Sequence, residues 1–152
     1  MKKLSTLVIT LIFAVNILAG CSLNTSKEDR QIKSVTSDFL KAKANLGYKT
    51  ITGLEGEKYV TKAAKKKIDE QAKQQTSVYK DVKGKSSIEG NPVFKIVKKD
   101  KNGADVESDF KLKVTSEVNP SANGTKNYKF KANLKKENGK WLVDTFGFSP
   151  QK

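Results

Sequence analysis

The sequence predicts an α+β domain, with N-terminal helices packed on one face of an antiparallel sheet. Apolar residues recur every third or fourth position between Ile32 and Val82, then alternate singly from Val106 to Val118 and from Tyr128 to Leu134. Two Asn-Gly pairs, Asn102-Gly103 and Asn138-Gly139, divide the alternating region into hairpins.

The chain begins with three zones. Lys2 and Lys3 are basic, Leu7 to Leu18 is apolar apart from Thr10 and Asn16, and Leu18-Ala19-Gly20-Cys21 follows. A basic end, a short apolar run and small residues at a cut site mark a secretory signal over residues 1–20. The run is shorter than the roughly 20 residues a spanning helix requires. Leu18-Ala19-Gly20-Cys21 resembles the lipobox of bacterial lipoproteins. The resemblance implies that signal peptidase II cuts between Gly20 and Cys21 and that the Cys21 thiol carries a diacylglyceryl group. The expected address is the extracytoplasmic face of a cell membrane, held by lipid on Cys21, because two acyl chains anchor stably where one does not. Phe13 to Gly20 also has the form of the apolar octapeptides that some lipoprotein signal sequences release as pheromones.

Residues 21–27 read as a lipidated tether and 28–149 as a single domain. In the domain, Ile32, Val35, Phe39, Ala42 and Leu46 form one helical stripe, with Ser26 and Asp29 placed for an N-terminal cap and Gly47 closing the helix. Tyr48 to Gly56 is a connection. Thr61 can cap a second helix carrying Ala64, Ile68 and Ala72, then Tyr79 and Val82. Lys65, Lys66 and Lys67 spread over about 200° of that helix and so read as a solvated face. Gly84 to Asn91 breaks the pattern, and Val93 to Val97 is a strand.

In the next strand Val106, Ser108, Phe110, Leu112, Val114, Ser116 and Val118 share one face, with charged and polar residues opposite. Tyr128, Phe130, Ala132 and Leu134 alternate likewise, and Trp141 to Phe148 is the last strand. Such half-polar alternation describes a sheet with one face on the core and one in water. Asp100, Asn102 and Asp105 lack the later glutamate of a calcium loop and read as a turn.

Composition narrows the function. The chain has no histidine, which removes the commonest general base and metal ligand, and its single cysteine excludes an internal disulfide. No metal, cofactor or enzymatic activity is expected. Without Lys2 and Lys3, 28 basic residues face 16 acidic ones, a net charge of +12, and Arg30 is the lone arginine. Lysine is a hydrated point charge rather than a bidentate phosphate reader. The charge therefore reads as solvated surface, or as attraction to anionic lipid or wall polymer. Nucleic acid is not an expected partner, since export places the domain outside the cell.

Three stretches resemble the nuclear-transport-factor-2-like superfamily: Asp38-Phe39-Leu40-Lys41-Ala42 with Gly47-Tyr48, Tyr59 to Ile68, and Asn138 to Phe146. The resemblance implies a cone of helices on a strongly curved sheet, with a pocket inside. Asp144, the one acid within an apolar strand, has two readings. Buried in a pocket, its pKa would be raised and it could act as a base; otherwise it is solvated or paired with a lysine. Phe110, Tyr128, Phe130 and Trp141 are candidate pocket walls or plain core. Size, lysine content and lipobox are also similar to small lipoproteins of Gram-positive conjugative-transfer regions, those of staphylococcal plasmids included. That similarity implies partners among envelope or transfer-machinery proteins.

Overall fold

The computed structural model describes residues 26–151; Gly20, Cys21 and the signal octapeptide lie outside them. In chain order the elements are α1 (Lys27–Ala44), β1 (Leu46–Gly47), a 3-10 turn (Glu57–Tyr59), α2 (Lys62–Asp81), β2 (Gly84–Lys99), β3 (Gly103–Ser116), a second 3-10 turn (Pro120–Ala122), β4 (Gly124–Glu137) and β5 (Lys140–Pro150). The strands form one antiparallel sheet in sequence order, β1-β2-β3-β4-β5. Both helices pack on one face of the curled sheet, giving the expected α+β cone.

Helix α1 starts where its capping residues direct. The Ser26 hydroxyl accepts the Asp29 N–H at 3.0 Å, and Glu28 and Asp29 occupy the first turn. Ile32, Phe39 and Leu40 are fully buried. Thr36 is buried with them, its hydroxyl satisfied by donating to the Ile32 carbonyl at 2.7 Å. The helix ends at Asn45 rather than Gly47. Leu46 and Gly47 instead pair with Ser86 and Lys85 as a two-residue strand, because Asn45 leaves helical geometry and its side chain accepts the Ile88 N–H at 2.8 Å.

The capping hydroxyl of α2 is Thr61, which accepts the Ala64 N–H at 3.2 Å. Ala64, Ile68 and Ala72 face the core, while Lys65, Lys66 and Lys67 are exposed. The close approach to Ala72 is what requires a glycine at position 53. Gly53, at φ +82°, lies so close to the Ala72 backbone that a Cβ at Gly53 would collide with it.

Three sequence expectations need correction. Gly84 to Asn91 is not a break: Gly84–Glu89 pairs with Lys111–Ser116 and continues after a register shift into Val93–Lys99. Gly90 and Pro92 belong to a bulge within one long strand, a place where sheets tolerate them. Val118 lies beyond β3 and is 60% exposed. The two Asn-Gly pairs also differ. Asn138 and Gly139 take φ +50° and +76°, the tight primed turn. Asn102 and Gly103 turn without positive φ, because the Asp100 carboxylate accepts both their N–H groups at 2.8 Å.

The core is built around Phe39, which no solvent reaches. Its ring meets Phe146 edge-on at 4.7 Å and Phe130 at 6.3 Å. Truncation of a side chain so enclosed leaves a cavity, so Phe39→Ala is expected to cost about 3–5 kcal/mol. The denaturant midpoint measures this; a change below about 1 kcal/mol would mean that Phe39 does not anchor the core.

Candidate functional site

Two features could serve function: a cleft between the helices and the far half of the sheet, and a polar junction at Asp144. The cleft is a cavity of about 520 Å³. One wall is the helical side, with Lys43 and Ala44 at the end of α1 and Gln71, Gln75 and Tyr79 along α2. The other wall is aromatic sheet: Phe110, Tyr128, Phe146 and Phe148. Phe110 stacks on Tyr128 at 5.8 Å and meets Phe148 edge-on at 6.2 Å. Val78, 54% exposed, stands at the rim.

A few polar groups are set into this apolar lining. Lys43 donates to the Gln75 side-chain oxygen at 3.2 Å, and burial lowers the pKa of its ammonium, against the opposing pull of Glu55. Ser86 donates to the Ala44 carbonyl at 2.7 Å, so its hydroxyl proton is committed. Tyr79, 3.0 Å from Ser86 Oγ, is therefore the donor of that pair. An apolar cleft with one cation and a few fixed polar groups is suited to binding an amphipathic anionic molecule or an apolar side chain from a partner.

The candidate wall residues divide. Phe110 and Tyr128 line the cleft. Phe130 is wholly buried behind it, as core. Trp141 packs elsewhere, beside Gln31, Val35 and Tyr59 near the start of α1. Phe146 and Phe148 line the cleft although uniform alternation from Trp141 would turn them outward. The phase changes at Asp144: Val143 pairs with Leu134 and Thr145 with Asn133, leaving Asp144 as an extra residue in a bulge. The sequence does hold the signal, since apolar positions shift from Trp141 and Val143 to Phe146 and Phe148.

Asp144 does not enter the cleft. Its carboxylate accepts the Thr61 hydroxyl at 2.8 Å and pairs with Lys135 at 2.7 Å. Thr61 also donates its N–H to the Val143 carbonyl at 3.0 Å. The hydrogen bond from Lys135, with further help from Thr61 and Lys67, outweighs burial and holds the carboxyl below its ordinary range. A raised-pKa base is therefore the wrong reading of Asp144; it is a structural acceptor tying α2 to β5. Asp100 likewise serves its turn, and the described residues contain no group of three or more acids, cysteines or histidines placed to hold a metal. No described helix is long and apolar enough to cross a membrane.

No family model matches the chain, and no curated protein matches it. Solved structures do. An IcmL-like type IV secretion system protein from Legionella pneumophila aligns with TM-score 0.58 at 12% identity, covering 84% of this chain and 94% of that one. The putative transfer protein TraH of the Gram-positive conjugative plasmid pIP501 aligns with TM-score 0.54 at 9% identity, over 82% and 95%. CagV, a VirB8 homolog of the Helicobacter pylori type IV secretion system, aligns with TM-score 0.51 at 10% identity, over 81% and 99%. The fold is the nuclear-transport-factor-2-like cone. It serves other settings too, the intermembrane-space region of the chloroplast protein ARC6 among them.

The Asp144 junction has a pH signature. A carboxyl whose folded pKa is depressed stabilises the fold at pH above its unfolded value, and that contribution is lost as pH falls towards the folded value. Asp144→Asn should cost about 1–3 kcal/mol at neutral pH. It should also flatten the acid limb of the stability curve below about pH 4, the unperturbed carboxylate range. Denaturant midpoints across that range test it; parallel curves for the two proteins would remove Asp144 from the account.

Proposed function

We propose that the chain is a membrane-anchored, extracytoplasmic lipoprotein whose cone is a non-catalytic protein-docking module, accessory to Gram-positive conjugative plasmid transfer. The observation carrying this reading is the Leu18-Ala19-Gly20-Cys21 lipobox placed five residues ahead of Ser26, the cap of a cone-fold domain. The fold likeness to transfer and secretion proteins supports the setting, and the likeness extends over most of both chains. Residues 1–20 then act as the signal, 21–27 as the tether and 28–149 as the working domain. The signal, after cleavage, releases Phe13 to Gly20 as a pheromone-like octapeptide. The cleft supplies the kind of apolar, aromatic-lined recess into which a partner's anchor side chain fits.

A second reading is favoured by the Lys43–Gln75 pair at the cleft: a small amphipathic anion seated among Phe110, Tyr128 and Phe148. Medium-chain fatty acids are suitable probes. Saturable binding lost in Lys43→Met, with the melting temperature kept, would support it. Absence of binding to the wild-type chain would end it.

The leading reading is tested in cells. Palmitate labelling is expected for the wild type and absent in Cys21→Ser. Cross-linking should recover envelope or transfer proteins. An unlabelled wild-type protein would overturn the anchor, and recovery of lipid alone would overturn the docking role.

A further inference from the structure

The positive charge is concentrated at one end of the domain. Four stretches meet there: the first two turns of α1 (26–33), the 3-10 turn with the start of α2 (57–67), the β2–β3 tip (98–101) and the β4–β5 hairpin (135–144). Glu28 pairs with Lys136 at 2.7 Å and with Lys99 at 3.8 Å, and Asp29 holds Lys99 as well. The Lys136 N–H donates to the Asn102 carbonyl, joining the two hairpin tips. Lys58 and Tyr59 share a recess with Gln31, Gly139 and Lys140, and Asp144 ties the start of α2 to Lys135. These stretches hold fourteen basic and six acidic residues, a net charge of +8. The remaining described residues hold thirteen basic and ten acidic, a net of +3.

This is also the end at which the chain enters the domain. From Cys21 to Ser26 is five residues, which span at most about 18 Å when fully extended. Helix α1 then runs away from that end for 18 residues, about 27 Å, and finishes with Lys43 and Ala44 in the wall of the cleft.

We propose that this lysine-rich end is a docking face for anionic phospholipid headgroups, seating the domain with the cleft turned away from the bilayer. The proposal deepens the anchored-lipoprotein reading and rests on it, since the short tether from Cys21 is what presents this end to the membrane. Lys62, Lys66, Lys98 and Lys140 are exposed and have no acidic partner among the described ion pairs, so their ammonium groups are available to phosphate. Many of the acids at this end are already engaged: Glu28, Asp29, Glu57 and Asp144 by lysines, and Asp100 by the turn N–H groups. A lysine near an anionic leaflet contributes about fivefold to partitioning, falling off within a Debye length of about 8 Å.

The test uses the chain from residue 21 onward with Cys21→Ser, so that neither the apolar signal nor lipid on the cysteine contributes, and measures co-sedimentation with phosphatidylcholine vesicles with and without phosphatidylglycerol. Binding is expected with phosphatidylglycerol, not without it, and should fall as salt is raised. Neutralising Lys62, Lys66, Lys98 and Lys140 to Gln should lower it by about a hundredfold or more. Neutralising four lysines of the opposite half, Lys80, Lys111, Lys113 and Lys126, should change it less than about fivefold, with thermal melts confirming that both variants fold. Equal losses in the two variants, binding that ignores phosphatidylglycerol, or binding to isolated wall polymer with none to vesicles would each overturn the proposal. Palmitate labelling of the wild-type chain reports separately on the anchor. Vesicle binding without labelling would sink the anchored reading, and labelling without vesicle binding would sink the docking face.

Discussion

The junction at Asp144 is the constraint on which much of the architecture rests. An extra residue in β5 needs something to hold it, and here a single carboxylate is shared between Thr61 and Lys135. Thr61 in turn caps α2 and bonds β5 through its backbone N–H. The three groups fix where α2 begins, how it meets the sheet and which way the second half of β5 faces. Phe146 and Phe148 point inward because of that phase change. Phe146 then packs on Phe39, and Phe148 on Phe110 and Phe130. One charged residue in an apolar strand thus organises the aromatic wall without joining it.

The domain is polarised along α1. At its start, the helix N-terminus, two hairpin tips and the first turns of α2 are linked by ion pairs and carry most of the net charge. At its finish, an apolar cleft opens between α2 and the aromatic sheet wall. Surface ion pairs of this kind contribute little individually to stability. Their effect here is geometric: they keep the lysine-bearing tips beside the point where the chain enters. The fold by itself assigns no chemistry, since the same cone occurs in a secretion protein and in the intermembrane-space region of a chloroplast protein alike. What distinguishes this chain is the distribution of charge and apolar surface over that cone.

Much of this was legible in the residues. Helix spacing, the caps at Ser26 and Thr61, and the inward residues of β3 and β4 follow from local periodicity and local hydrogen bonding, so sequence alone carried them. Over Gly84 to Asn91 local propensity points away from a strand, since Gly, Ser and Asn are poor strand formers, and sheet pairing overrides it. The hairpin at Asn102-Gly103 forms without the positive φ that Asn-Gly favours, because an aspartate two residues earlier accepts both N–H groups.

The sequence by itself determined the element order, the α+β class, the absence of histidine and the position of Cys21 relative to the first helix. Tertiary structure alone decided the role of Asp144, the membership of the cleft and the gathering of lysines at one end. The physical reason is the same in each case. These features depend on partners far apart in the chain: Asp144 is 83 residues from Thr61, and Lys136 is 108 from Glu28. Periodicity records which face a residue takes on its own element, but not what the fold brings opposite it.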